Sequence, residues 1–411
     1  MQFTELHLNA SLLKAIAEER FQTPTQVQEK AIPPILAKKN VIVSAQTGTG
    51  KTAAFALPIL QLLLDRQTPE KKTKRIKSLI VTPTRELCLQ IEANFKSYAK
   101  HTDLTTTAVY GGVSLTPQKE ILKEGVDILI ATPGRLIDLH KQGAIDLRAI
   151  EIFVLDEADL MLDMGFINDV TTIESLCPRK KQSLLFSATI PDKIVALSES
   201  MIKNPITIKI NPAETTAKTI GQLLYYSPKK NKTDLCLHLL RNTINGKIII
   251  FRRTRIGVDK LEETLSKNGY KVTSIHGEKT QIIRNKAIED FKNKKATILI
   301  ATDVAARGID INNVDAIINF DIPNIPETYI HRIGRTGRAG KSGIAFSFCS
   351  PDEDTYIKTI EELLQRPIKV ITDHPYPRVQ PKKQKKQPNT ISKHKKGRKS
   401  EASKKKKKRW Y

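Results

Sequence analysis

Short runs of continuous apolar residues, each ending in a small, polar or glycine-rich turn, recur along the chain with amphipathic stretches between them. VIVSAQTG, SLIVTPTR, DILIATPG, IFVLDEAD and SLLFSATI carry this rhythm through the first half, and IIIFRRTR, VTSIHG, TILIATDVAARG, AIINFD and IAFSFCS through the second. Unbroken β-branched runs alternating with helical segments predict an α/β fold, with parallel strands covered by helices on both faces. In such sheets the functional loops gather beyond the carboxyl ends of the strands, so the polar endings of these runs are the places to look for chemistry. Between the two series NPITIKINPAETTAKTIG loses the strong periodicity. It predicts a first domain over 1–210, a linker over 211–218 and a second domain over 219–370, with a separate segment over 371–411.

Composition adds limits. With 39 % hydrophobic and 27 % charged residues, each half can bury a core without a metal or disulfide staple. Cys88, Cys177, Cys236 and Cys349 lie far apart and form no CxxC pair, which argues against a zinc site and suits a reducing compartment. The opening MQFTELHLNASLL has no positive flank or apolar core of a signal peptide, and no later run reaches the roughly 18 apolar residues of a membrane span. A soluble, cytoplasmic protein is expected.

The formal charge of +25 suggests a polyanionic partner. Its distribution is more telling than its total. Residues 371–411 hold 16 Lys or Arg against Asp373 and Glu401, so +14 of the excess lies in about a tenth of the chain. This segment, with its prolines, glutamines and the run Lys404 to Arg409, has no regular apolar face and is expected to be a disordered basic tail suited to such a partner. Trp410 and Tyr411 could stack on bases, although a terminal position favours opportunistic contact. The lysine run also fits a nuclear-targeting signal.

The sharpest local signal is Ala45-Gln46-Thr47-Gly48-Thr49-Gly50-Lys51-Thr52, between an apolar strand and an apolar helix. It is a phosphate loop with Ala45 in place of the first glycine. Gly48 and Gly50 let the backbone wrap a phosphate, Lys51 reaches the β and γ phosphates, and Thr52 offers a hydroxyl to Mg²⁺. Asp156-Glu157-Ala158-Asp159 follows a second strand, with Asp156 the magnesium-side carboxylate and Glu157 the group that orients or deprotonates water. Far along the chain, His331-Arg332-Ile333-Gly334-Arg335-Thr336-Gly337-Arg338 is not a core pattern, because burying its arginines without anions would be costly. Arg335 and Arg338 are candidate arginine fingers that enter when the second domain closes on the first.

The ordered series resembles the DEAD-box RNA helicases of the second helicase superfamily over about residues 1 to 365. Its parts are Phe21 with PTQVQ, AQTGTGKT, PTREL, Gly111-Gly112, TPGR, DEAD and SAT, then IIIF, His276-Gly277 with Gln281 and Arg284, TDVAARGID and HRIGRTGR. The resemblance implies two tandem RecA-like domains and an RNA-dependent ATPase that uses ATP and Mg²⁺. It implies that Gln28 bonds the adenine edge while Phe21, supported by Phe3, packs on the ring. It implies that Asp159, Ser187, Thr189 and His331 couple the nucleotide to domain closure, and that Gly308 and Asp310 approach the nucleotide from the second domain.

By the same resemblance Arg85, Gly111, Gly112, Thr132, Gly134 and Arg135 face RNA from the first domain, and Arg253, Gly277, Gln281, Arg284, Thr302 and Asp303 from the second. Backbone N–H groups, hydroxyls and cations of this kind read phosphate and sugar rather than base identity. Closure around ATP and a bent single strand is then expected to open short duplexes or remodel RNA–protein complexes. An ATP-gated RNA clamp and a DNA helicase are the alternatives, and ribosomal or RNA-turnover proteins are candidate partners. The short N-terminus and lysine-rich extension look most like the bacterial RhlE-like branch. Three departures stand out: Arg20 where the family often has glycine, Cys88 where alanine is common, and the basic run Arg252, Arg253, Thr254, Arg255 after IIIF.

Overall fold

The computed structural model describes residues 1–46, 48–66, 75–210, 220–306, 311, 314–337 and 343–378. Thr47, Gly308, Asp310, Arg338, the 211–218 linker and the tail from 379 onward therefore lie outside the described residues.

The first half builds strands β1 (Val41–Ser44), β2 (Ser78–Val81), β3 (Thr106–Val109), β4 (Ile128–Ala131), β5 (Ile152–Asp156), β6 (Gln182–Ser187) and β7 (Ile206–Lys209). The second builds β8 (Ile220–Tyr226), β9 (Ile248–Phe251), β10 (Val272–Ile275), β11 (Ile298–Ala301), β12 (Ala316–Asn319), β13 (Gly343–Cys349) and β14 (Lys369–Val370). Among the described residues these make two sheets, ordered β3-β4-β2-β5-β6-β1-β7 and β10-β11-β9-β12-β13-β8-β14. Every pairing is parallel. The second order is the first with each strand advanced by seven, so the chain lays down one topology twice.

Why these runs become buried strands is visible in their alternation. Val41, Val43, Ile80, Ile128, Ile130, Val154 and Phe186 point into one apolar cluster. Their neighbours Ile42, Leu79, Val81, Leu129, Phe153, Leu155 and Leu185 point into another on the opposite face. The two-residue period of a strand requires this division, and only helices on both sides can bury both sets. Ile249, Leu299 and Ile317 against Ile248, Ile250, Ile300 and Ile318 repeat it in the second sheet. The architecture is two tandem parallel α/β domains, as the pattern of apolar runs predicted, and they are of the RecA-like kind that the resemblance implied.

The doubling places two arrays of loops beyond the strand ends. From β1, β5 and β6 come the phosphate loop, the acidic loop and Ser187–Thr189; from β9, β11 and β12 come Arg252–Thr254, Thr302–Asp303 and Phe320–Ile322. The strand equivalent to β1 is β8, which leads into Ser227–Pro228 and carries no glycine-rich loop. Of the two lobes, the first alone has a phosphate loop after its equivalent strand.

Candidate nucleotide and nucleic-acid site

Gly50 caps the helix Lys51–Leu64 with φ +96°, a left-handed conformation that glycine adopts without strain. The turn it permits aims the helix N-terminus and the Lys51 side chain back toward the sheet. Lys51 is buried; its Nζ donates to the Ala45 carbonyl (3.0 Å) and pairs with Glu157 Oε1 at 2.9 Å. Burial pulls the Lys51 pKa down, but Glu157, Asp156 and Asp159 outweigh it and hold the ammonium above its ordinary value. Burial, reinforced by Glu157, pushes the Asp156 carboxyl up to about 7. Glu157 itself takes φ +54°, uncommon for a residue with a Cβ, at the start of the helix Ala158–Asp163.

Asp159 ties the acidic loop to β6. Its N–H donates to Ser187 Oγ (3.1 Å), and its Oδ2 accepts from both the N–H and the Oγ1 of Thr189, each at 3.0 Å. Burial raises this carboxyl, but Lys51, His331 and the hydroxyl donors more than offset that, so it sits below the ordinary value. The His331 influence crosses from the second lobe. A cavity of about 350 Å³ opens there, lined by Glu157, Asp159 and Thr189 on one side and by Thr328, His331 and Arg335 on the other. The structure thus brings Arg335 to the acidic loop.

Gln28 is buried, its Oε1 accepting from Thr25 N (2.8 Å) and its Nε2 donating to the Gly50 carbonyl (3.3 Å). Both ends of the amide are engaged with the protein, and one of them is on the phosphate loop. Phe3 stacks on Phe21 (centroids 6.2 Å, 25°), and Phe21 leans on Tyr98 at 6.0 Å.

On the first lobe's outer loops, the Arg85 guanidinium lies where a Cβ on Gly112 would sit, and Gly112 has φ +77°. Arg135 Nη2 donates to Val113 O at 2.9 Å. These contacts join the PTREL, Gly111-Gly112 and TPGR loops into one surface, with Gly134 exposed on it and Thr132 buried beneath. On the second lobe Gly277 is exposed, while Gln281 and Arg284 reach across to Glu86 of PTREL at 2.9 Å each. Thr302 is buried at the end of β11.

Two arrangements differ from the sequence reading. Arg332, from the arginine series judged unsuited to a core, is buried, because Asp303 supplies the anion: Nε and Nη2 meet its two oxygens at 2.6 and 2.8 Å. Nη1 also donates to Asn319 Oδ1 and the Asp321 carbonyl. Asp303, expected to face RNA, spends both carboxylate oxygens on this internal fork. Arg332 carried no assigned role in the sequence; its spacing among three similar arginines offered no sign that it would turn inward.

A phosphate loop, a strand-borne acidic pair and an arginine presented across a cleft between repeated RecA-like lobes define a two-lobed P-loop nucleotide hydrolase. Residues 25–197 match the DEAD/DEAH box helicase model and 231–340 the helicase conserved C-terminal domain model. The chain is 44 % identical over 351 residues to the DEAD-box ATP-dependent RNA helicase RhpA of Helicobacter pylori, covering 85 % of this chain and 70 % of that one. It is 42 % identical over 369 residues to the ATP-dependent RNA helicase SrmB of Escherichia coli, 89 % of this chain and 83 % of that one. Saccharomyces cerevisiae Dbp5 bound to RNA and ADP BeF3 superposes with a TM-score of 0.81 at 32 % identity, over 90 % of this chain and 95 % of Dbp5. The chain belongs to the DEAD-box RNA helicase family. Among its described residues no helix is long and apolar enough to cross a membrane.

Proposed function

We propose that the chain hydrolyses ATP in response to RNA and uses the cycle to open short RNA duplexes or remodel RNA–protein complexes. The observation that carries this reading is the cavity in which Glu157 and Asp159 of one lobe face His331 and Arg335 of the other. A site split in this way is complete only when the lobes are together, so anything that holds them together promotes turnover.

In this reading Gly48, Gly50 and Lys51 hold the triphosphate, with Ala45 at the loop's start, and Phe21 and Gln28 border the base. Glu157 orients or deprotonates the attacking water, and Arg335, with Arg338 beside it in sequence, stabilises charge on the transferring phosphoryl group. Gly308 and Asp310 approach the nucleotide from the second lobe. Asp159, Ser187, Thr189 and His331 transmit closure. Thr52 and Asp156 are hard oxygen donors suited to Mg²⁺ shared with the phosphates. Bound Mg²⁺ would neutralise charge on the β and γ phosphates.

RNA runs over Arg85, Gly111, Gly112, Thr132, Gly134 and Arg135, then over Arg253, Gly277, Gln281, Arg284 and Thr302, read through its backbone, while Asp303 holds Arg332 behind that surface. The domain limits proposed are 1–210 and 219–370, joined by 211–218, with 371–411 as a basic RNA-binding extension. A cytoplasmic setting suits this work.

ATP hydrolysis measured with matched RNA and DNA strands tests the proposal. RNA should stimulate turnover and DNA should not, and Glu157→Gln should lower the stimulated rate about a hundredfold or more while still binding ATP. Equal stimulation by DNA, or an unimpaired Glu157→Gln enzyme, would overturn it.

A further inference from the structure

The second lobe buries a carboxylate that the proposed chemistry does not use. Glu353 Oε2 accepts from Lys232 Nζ (2.5 Å), Ser350 N (3.0 Å) and Ser350 Oγ (2.8 Å), and Oε1 from Ile322 N (3.0 Å) and Arg253 Nη2 (3.1 Å). Lys232 is as deeply buried and donates again to the Phe320 carbonyl at 2.9 Å. One side chain therefore ties together the loops leaving β9, β12 and β13 and the start of the helix Lys232–Asn242. A buried ion pair is in itself weak evidence for stability, so this one invites an explanation in terms of position.

Arg253 is the exposed member, its side chain 44 % accessible. Its Nη2 also donates to the Ile322 carbonyl (2.8 Å), its main-chain N–H to Asp321 Oδ2 (2.9 Å), and its guanidinium lies 5.5 Å from the Tyr356 ring centre. Charges divide cleanly around it. Lys232 balances Glu353, and Arg252 pairs with Asp321 at 3.0 Å, which leaves Arg253 as the excess positive charge of the five. A held guanidinium loses less freedom on meeting an anion than a free one does.

We propose that Glu353, neutralised by Lys232, is a positioning residue that fixes the Arg253 guanidinium for an RNA phosphate. This rests on the reading that RNA crosses the carboxyl ends of the second sheet. Arg253 lies in the run Arg252, Arg253, Thr254, Arg255, which as a whole is more basic than is usual after this strand.

The experiment is a mutant cycle read as the RNA concentration giving half-maximal ATPase, with KM for ATP as the control. Arg253→Ala should raise the RNA value about tenfold, while KM for ATP measured at saturating RNA changes less than about twofold. Arg253→Lys, which keeps the charge but not the planar fork, should behave like Arg253→Ala. Lys232→Met with Glu353→Leu, which removes the pair without stranding a buried charge, should match that rise, and adding Arg253→Ala should add nothing. Lys232→Met with Glu353→Gln, which restores an acceptor oxygen, should recover part of the loss. Additive effects, or wild-type RNA response in Arg253→Lys, would overturn the positioning role; if the core variants fail to fold, Arg253→Lys decides alone. An unchanged RNA value in Arg253→Ala would remove the RNA path over this loop as well.

Discussion

Glu86 and Arg284 form an ion pair at 2.9 Å between the two lobes, and the Gln281 amide donates to the same Glu86 oxygen. The side chains are only 10 % and 16 % exposed, so the pair is shielded from salt and water. Gln281 and Arg284 are also candidate RNA contacts, so in the proposed reading lobe closure and strand binding draw on the same two side chains. Glu86 was not among the residues singled out in the sequence; it sits inside PTREL beside Arg85, which was.

Glu86→Ala should strand Arg284 and weaken the closed arrangement by ~3 kcal/mol. RNA-stimulated hydrolysis should fall at least tenfold at a fixed RNA concentration while ATP binding to the first lobe is kept. Combining Glu86→Arg with Arg284→Glu should recover a substantial part of the stimulation. Steady-state ATPase with an RNA titration makes the comparison, and equal deficits in Glu86→Ala and the reversed pair would show that the contact does not couple the lobes.

A methyl group at Gly50 should disable nucleotide binding by a route separate from phosphate contact. The Cβ of Gly50→Ala would lie 2.5 Å from Gln28 Nε2 and 3.0 Å from Thr25 Oγ1, and φ +96° is itself unfavourable for alanine. Strain of ~2 kcal/mol should be relieved by displacing Gln28 or the loop. KM for ATP should rise at least tenfold, with thermal stability lowered only slightly because the helix Lys51–Leu64 stays packed. Nucleotide titration by fluorescence reads the first quantity and a melting curve the second; unchanged ATP affinity would show that the Gln28 link is dispensable.

The parts legible in the sequence are those in which local pattern and chemistry coincide. VIVSAQTGTGKT announces strand, turn and helix together because an apolar run, two glycines and a lysine are all needed in one place. β3 and β8 were missed for the opposite reason. Thr106–Val109 emerges from a polar stretch, and Gly221 and Gln222 cut Ile220 off from Leu223–Tyr226, so neither reads as apolar along its whole length even though each is held in a parallel ladder. Arg332 and Lys232 escaped because a buried cation is identified by its anion, and Asp303 and Glu353 lie 29 and 121 residues away. Only the folded chain brings those partners together.

Burial makes the cysteines inert. Cys88, Cys177, Cys236 and Cys349 are all buried and unpaired, and burial pushes the thiols of Cys177 and Cys236 up to about 12, with Cys88 and Cys349 shifted in the same direction. A thiol reagent needs thiolate and access, and the native fold denies it both at neutral pH. Native protein should therefore react with a chromogenic disulfide reagent only slowly, and should release four equivalents when denatured. Rapid reaction of even one thiol in the native protein would show that its lobe opens locally far more often than the burial implies.

The extension beyond the second lobe should govern how binding responds to salt without touching the chemistry. Arg378 to Tyr411 contributes 16 Lys or Arg and one acid, Glu401. Each of these cations that neutralises a phosphate on single-stranded RNA adds about 0.7 to the slope of log affinity against log salt. Deleting the segment should flatten that slope by several units and weaken binding most at low salt, whereas hydrolysis at saturating RNA should be nearly unchanged because the phosphate loop, Glu157 and Arg335 remain. RNA affinity measured from about 50 to 200 mM salt separates the two contributions. A deletion that leaves the slope intact would assign the salt response to Arg85, Arg135, Arg253 and Arg284 on the lobes, and would leave the lysine run without a part in holding RNA.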